Sequence, residues 1–241
     1  MNQILKFGLL PCSVALLLAA DSSWKSKQSQ EWNEEDAKQI LQNSPWVKIS
    51  TPAQLPRVSK EQLRAGGRMQ GGQGVGVEAL TPASLTGVGA PQPGKRRAYP
   101  DRINPVEIRW ESAPAMRAAV QKAHDTDAPS WEGSPYVIAV YDVPGLDIND
   151  KFLPADLKRT ASLQPDGRRL LKPVRVSLLP QVRGLVTVVY EFPRSEEIKL
   201  DDKRVAFTAQ FGRIAVAQYF YTQEMQFQEQ SLDSIPFISG W

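Results

Sequence analysis

Apolar and polar side chains alternate with a period of two through most of the second half of this chain. Val106, Ile108 and Trp110 are separated by Glu107 and Arg109, and Val174, Val176 and Leu178 by Arg175 and Ser177, as in strands that bury one face. Residues 136–141 and 185–192 are nearly continuous apolar runs, short enough to be strands covered on both sides. Residues 161–164 and 169–172 flank a Pro165-Asp166-Gly167 turn, and residues 205–211 face 214–221 across Gly212-Arg213. Glycine at the first position of a two-residue turn is what a tight hairpin of the primed type requires. About seven strands at this spacing predict an antiparallel β-sandwich or an open barrel-like sheet.

A helical period shows at two places. Asn33 is a cap residue, followed by Glu34, Glu35 and Asp36 where the helix dipole favours carboxylates. Ala37, Ile40 and Leu41 then share one face, Glu34 and Lys38 are spaced for an ion pair, and Asn43 with Pro45 stops the helix. Trp46-Val47-Lys48-Ile49 reads as a short strand. Ser112-Ala113-Pro114 opens a second helix with Met116, Ala119, Val120 and Ala123 on its buried face. The fold class expected is mainly β with two short helices, an α+β arrangement.

Residues 51–104 break this pattern, with nine glycines and six prolines in 54 positions, the composition of a disordered segment. A stretch of that length is a linker or an insertion. The insertion is the preferred reading, because residues 21–50 offer one helix and one strand, too little to bury a core without the strand-rich part at 105–241.

The first 20 residues supply an address. Lys6 precedes a run from Phe7 to Ala20 that is apolar except for Ser13, too short for the ~20 residues of a membrane span and suited to a secretory signal peptide. Cleavage after Ala20 places Leu18 where a small residue is preferred, so the exact site stays open and a retained N-terminal anchor is the other reading. Export to the periplasm or medium is expected, with no transmembrane span in the mature chain.

Composition removes several chemistries. The single cysteine, Cys12, lies within the signal-like run, so the mature chain has no thiol for a disulfide, a nucleophile, an iron-sulfur cluster or a thiolate zinc site. Pro11 before it and the apolar run after it are wrong for lipidation. Lysine and arginine total 29 against 26 acids, and loss of Lys6 lowers the net charge from +3 to +2. Nucleic acid is therefore not an expected partner, since the only basic run, Lys95-Arg96-Arg97, lies in the glycine-rich stretch.

The remaining motifs fail on context. Gly89 to Lys95 spells the start of a phosphate-binding loop, but Pro91 and Pro93 remove N–H donors, Arg96 stands where a hydroxyl is needed, and no helix follows. The glycines from Gly66 to Gly76 likewise lack the setting of a dinucleotide fingerprint. His124, the only histidine, falls on the solvated face at the last turn of the second helix, where a cation suits the dipole. Asp147-Ile148-Asn149-Asp150 imitates a calcium loop but has Phe152 and Lys158 where glycine and a bidentate acid belong, so it reads as a turn between a strand and a helix. Glu196-Glu197 and Asp201-Asp202 could form a glycosidase-like pair, yet each adjoins a cation and reads as a charged surface turn. Trp32, Trp46, Trp110 and Trp131 mark element boundaries as core or cap residues. The terminal Trp241 follows Pro236 and Gly240, which interrupt the alternation of a membrane-barrel strand. No catalytic, cofactor or metal residue is assigned.

The segment from Trp32 through Ala37, Leu41, Ser44 and Pro45 to Trp46, with Arg109-Trp110-Glu111-Ser112-Ala113 and Phe192-Pro193-Arg194, resembles a family of uncharacterised exported bacterial proteins. That resemblance implies an envelope or secreted protein in which the tryptophan helix and the strand-rich part belong together. The function expected is a non-enzymatic interaction or structural role in the bacterial cell envelope, with another envelope protein or a polysaccharide as partner. The alternative is a cofactor-free, carboxylate-dependent hydrolase.

Overall fold

The computed structural model describes residues 23–55, 104–195 and 197–226. The signal-like run, the phosphate-loop imitation, the basic run, Glu196 and Trp241 lie outside them. Among the described residues there are three α-helices and nine strands: α1 (Glu34–Gln42), β1 (Val47–Ser50), β2 (Ala53–Gln54), β3 (Val106–Trp110), α2 (Pro114–Ala123), β4 (Tyr136–Val143), α3 (Leu153–Thr160), β5 (Ser162–Pro165), β6 (Arg175–Pro180), β7 (Val186–Phe192), β8 (Arg204–Phe211) and β9 (Ile214–Tyr221). No helix among them is long and apolar enough to cross a membrane.

All strand pairing is antiparallel, in two sheets of order β1-β3-β4-β7-β6 and β2-β9-β8-β5. Among the described residues the strands form two separate sheets whose inner faces share one buried cluster, so of the two architectures the alternation predicts the structure fits the sandwich. Alternate residues of the larger sheet, Ile108, Trp110, Tyr136, Ile138, Val188 and Tyr190, are buried facing the smaller sheet's Val205, Phe207, Phe211 and Phe220. Rings interlock across the gap, Trp110 against Phe220 at 5.2 Å between centroids and Tyr190 against Phe207 at 5.6 Å, both edge to face.

The local signals act as their chemistry dictates. Asn33 Oδ1 accepts from the Asp36 N–H at 2.8 Å, and the Asp36 carboxylate accepts in return from the Asn33 N–H at 3.1 Å, a complete capping box. The Glu34–Lys38 pair forms at 2.7 Å. Helix α1 packs along α2, and its Ala37, Ile40 and Leu41 enter the same buried cluster as the sandwich interior. Three tryptophans, Trp24, Trp32 and Trp46, extend that cluster, with Trp24 in ring contact with the other two. Gly212 takes φ +58° between Phe211 and Ile214, closing the β8–β9 hairpin at the glycine the turn needs.

Four features depart from the sequence reading. The chain crosses from β1 in one sheet to β2 in the other, and Leu55 N–H continues that pairing to the Arg213 carbonyl at 2.7 Å, so ordered strand runs into the start of the glycine-rich stretch. Helix α3 makes the helix count three rather than two; it follows the Asp147–Asp150 turn, which lies between a strand and a helix as read from the sequence, and packs against β6 and β8 with Leu157 buried. Residues 169–172 are not a strand: only Leu171 bridges Leu163, because Pro173 has no N–H with which to extend the ladder. Asp202, expected at a surface turn, is buried, accepting from the Lys199 N–H at 2.6 Å and pairing with Arg168, a residue distant in sequence.

Candidate functional site

The outer face of the larger sheet carries ionic chemistry that the inner face lacks. Because Val106, Ile108 and Trp110 point inward, Glu107 and Arg109 must point outward, and Glu111 follows in the turn to α2. That turn is tied to β4: the Glu111 N–H donates to the Val137 carbonyl at 2.9 Å, and Ser112 Oγ accepts from the Val137 N–H at 3.0 Å. Helix α2 then ends in a left-handed residue, His124 at φ 52°, and the Asp125 N–H reaches back to the Val120 carbonyl at 3.1 Å. This Schellman-type ending turns the chain so that Asp125 meets Arg109, its carboxylate 3.0 Å from Nη1. His124 itself is exposed.

Arg109 also pairs with Glu107 and stacks over the Tyr141 ring, 4.6 Å from its centroid. The Tyr141 hydroxyl donates to Glu111 Oε1 at 2.7 Å. Residues after Asp125 fold back over the sheet, and Trp131 packs on Val137, Ala139, Tyr141 and Val189, a second buried cluster separate from the interior between the sheets. Glu111 is thereby left 1% exposed. Burial raises the pKa of its carboxyl, and this outweighs the lowering by the Tyr141 hydrogen bond and Arg109. Burial raises Tyr141 as well, with Glu111 adding to the shift. For Arg109 burial works downward, but the neighbouring Glu107 carboxylate and Tyr141 prevail and its pKa rises.

Beside this cluster lies an open cleft of about 290 Å³ between α2 and the returning loop, lined by Glu111, Arg117, Val120, Gln121, Ser130 and Trp131 among others. Its described lining holds one carboxylate, Glu111, and one basic group, Arg117. The Arg117 Nε is buried without a hydrogen-bond partner, and its guanidinium forms no ion pair among the described residues. No group of three or more potential metal ligands occurs among the described residues.

The described carboxylates singled out from the sequence do not meet here. Asp201 is exposed, Asp202 is held by Arg168 and Lys199, and Glu197 accepts from Arg168 Nη1 through its backbone carbonyl at 2.8 Å. The cluster of Glu107, Arg109, Glu111, Asp125 and Tyr141 was missed by sequence reasoning. Its available signal was the polar half of the β3 alternation, which looks like a solvated face until Asp125 and Tyr141 close on Arg109.

The two open antiparallel sheets with their helical flank define a mainly β sandwich protein, with an ionic cleft on the outer face among the described residues. The chain matches no protein-family model, no curated protein and no solved structure.

Proposed function

We propose that this chain is an exported, non-enzymatic interaction protein of the bacterial cell envelope that binds through the cleft beside Trp131. The observation that carries the binding half is how the ionic groups are used. Glu107 and Asp125 are held by Arg109, Glu111 is engaged by Tyr141, and Arg117 faces the cleft uncompensated. An available cation beside an aromatic ring is equipment for holding a ligand, whereas acyl or glycosyl transfer needs a nucleophile with its base or a second carboxylate. Export is supported by Lys6 and the apolar run behind it, and by the resemblance carried by the Trp32–Trp46 segment. Partners of the class expected are another envelope protein or a polysaccharide.

Fractionating cells and sequencing the N-terminus of the recovered protein tests the export half. Protein outside the cytoplasm beginning near Asp21 is the expected result, and intact Met1 on cytoplasmic protein overturns it. The second reading, a carboxylate-dependent hydrolase, draws on Glu111, whose raised pKa in a cleft suits a general acid. Hydrolysis that disappears in Glu111→Gln while the fold is kept would select it.

A further inference from the structure

Resting on the reading of the cleft as a binding site, we propose that it takes a sugar unit bearing a carboxylate, with Arg117 holding the carboxylate and Trp131 packing against the sugar ring. The charge on the ligand follows from the contrast between two arginines on the same side of the sheet. Arg109 has two carboxylate partners and a tyrosine ring beneath it. Arg117, one helix away, has a buried Nε with no acceptor and no ion pair among the described residues. A buried charged donor without an acceptor is costly, and an anionic ligand in the cleft removes that cost. Glu111, the one acid in the described lining, does not fill the role: its Oε1 already accepts from Tyr141, and burial favours its uncharged form, which weakens its repulsion of an incoming anion.

The kind of anion follows from the geometry of the donor and from the rest of the lining. A guanidinium presents paired N–H groups that match the two oxygens of a carboxylate. Arg117 is the only basic side chain in the described lining, which is sparse for the higher charge of a phosphate group. About 290 Å³ lies at the small end of ligand sites, the scale of a single ring rather than a long chain. Gln121 and Ser130 supply an amide and a hydroxyl, which pair with sugar hydroxyls, while Trp131 offers an aromatic surface to the C–H face of a pyranose. A purely apolar carboxylate would leave Gln121 and Ser130 unused.

The test uses protein purified from cells, followed at its tryptophan indole NMR signals. It is titrated with methyl β-D-glucuronide, the neutral methyl β-D-glucoside, and acetate, while the ligand spectra are watched for released methanol. A single sugar unit should bind with a Kd near about 1 mM, at least about tenfold more tightly than either comparison compound. Arg117→Gln should weaken glucuronide binding about tenfold without lowering the unfolding midpoint, since that side chain has no partner to lose among the described residues, and Arg117→Lys should restore part of the affinity. Equal binding of glucoside and glucuronide, equal binding of acetate, or an Arg117→Gln variant that binds like the parent each overturns the proposal. So does an absence of binding in all three titrations. Methanol release is a different failure: it would show the acidic sugar accepted but overturn the non-enzymatic reading on which the assignment rests.

Discussion

The two faces of the five-stranded sheet are made by alternate residues of the same strands, yet they do different things. On the inner side Ile108, Trp110, Ile138 and Tyr190 meet the rings of the second sheet, with no ion among them. On the outer side Glu107 pairs with Arg109, which stacks on Tyr141, and Tyr141 shares a layer with Val137, Ala139 and Val189 against Trp131. Apolar burial is non-directional and tolerates many partners, so the inner face carries stability. Charges under a thin loop keep their attraction without the full desolvation cost of the interior, so the outer face can carry a cleft with chemistry in it. One sheet thereby supports the fold with one side and the candidate site with the other.

Breaking the inner face should cost the most. Phe207 is fully buried against Tyr190 and Phe192, and Phe207→Ala should destabilise by about 3–5 kcal/mol in urea titrations followed by tryptophan fluorescence. A loss below about 1 kcal/mol would mean that the sheets are not packed as described. Ile40→Ala extends the test to α1, a nine-residue helix too short to be stable alone, whose face enters the same interior. It should cost about 2–4 kcal/mol, and an unchanged midpoint would make α1 an independent appendage.

Breaking the outer face should cost less. Arg109→Ala leaves Glu107 and Asp125 facing each other without their cation and should destabilise by about 1–3 kcal/mol at neutral pH. Neutralising the stranded acids with Glu107→Gln and Asp125→Asn in the Arg109→Ala background should recover part of the loss, and a loss left unchanged by them would count against the ionic account. Glu111→Gln sharpens the same point with a smaller effect. The folded state holds the Glu111 proton more tightly than the unfolded chain does, so this group favours folding below the ordinary glutamate range and loses that contribution as pH rises through the folded value. Glutamine still accepts from Tyr141 but does not titrate, so the variant should gain on the parent as pH rises. A variant that instead loses ground on the parent as pH rises would contradict the raised pKa.

The smallest effect returns to the inner face. The Tyr190 hydroxyl is fully buried between the sheets without a hydrogen-bond partner among the described residues, and burial drives its pKa well up. Tyr190→Phe removes a polar group with nothing to lose and should leave stability within about 0.5 kcal/mol of the parent or slightly above it. A clear loss in differential scanning calorimetry would reveal a partner for that hydroxyl.

What could be read from the chain alone was whatever depends on near neighbours. Asn33 caps its helix through residues three positions away, Gly212 closes a hairpin between adjacent strands, and the β3 alternation sets which side chains share a face. These follow from backbone geometry and hydrogen bonds spanning a few residues, so the sandwich and its first two helices were legible. Helix α3 was less so, because its buried face is reduced to Leu157 and gives little periodic signal. The tertiary structure decided which of the two β3 faces became a site. Glu111 and Tyr141 are 30 positions apart, the Trp131 loop buries them only after β3 and β4 have paired, and Arg168 finds Asp202 across 34 positions. A polar residue's own type does not determine its burial. That depends on what distant chain folds over it, and burial in turn sets the charge state, the pairing and the chemistry of the cleft.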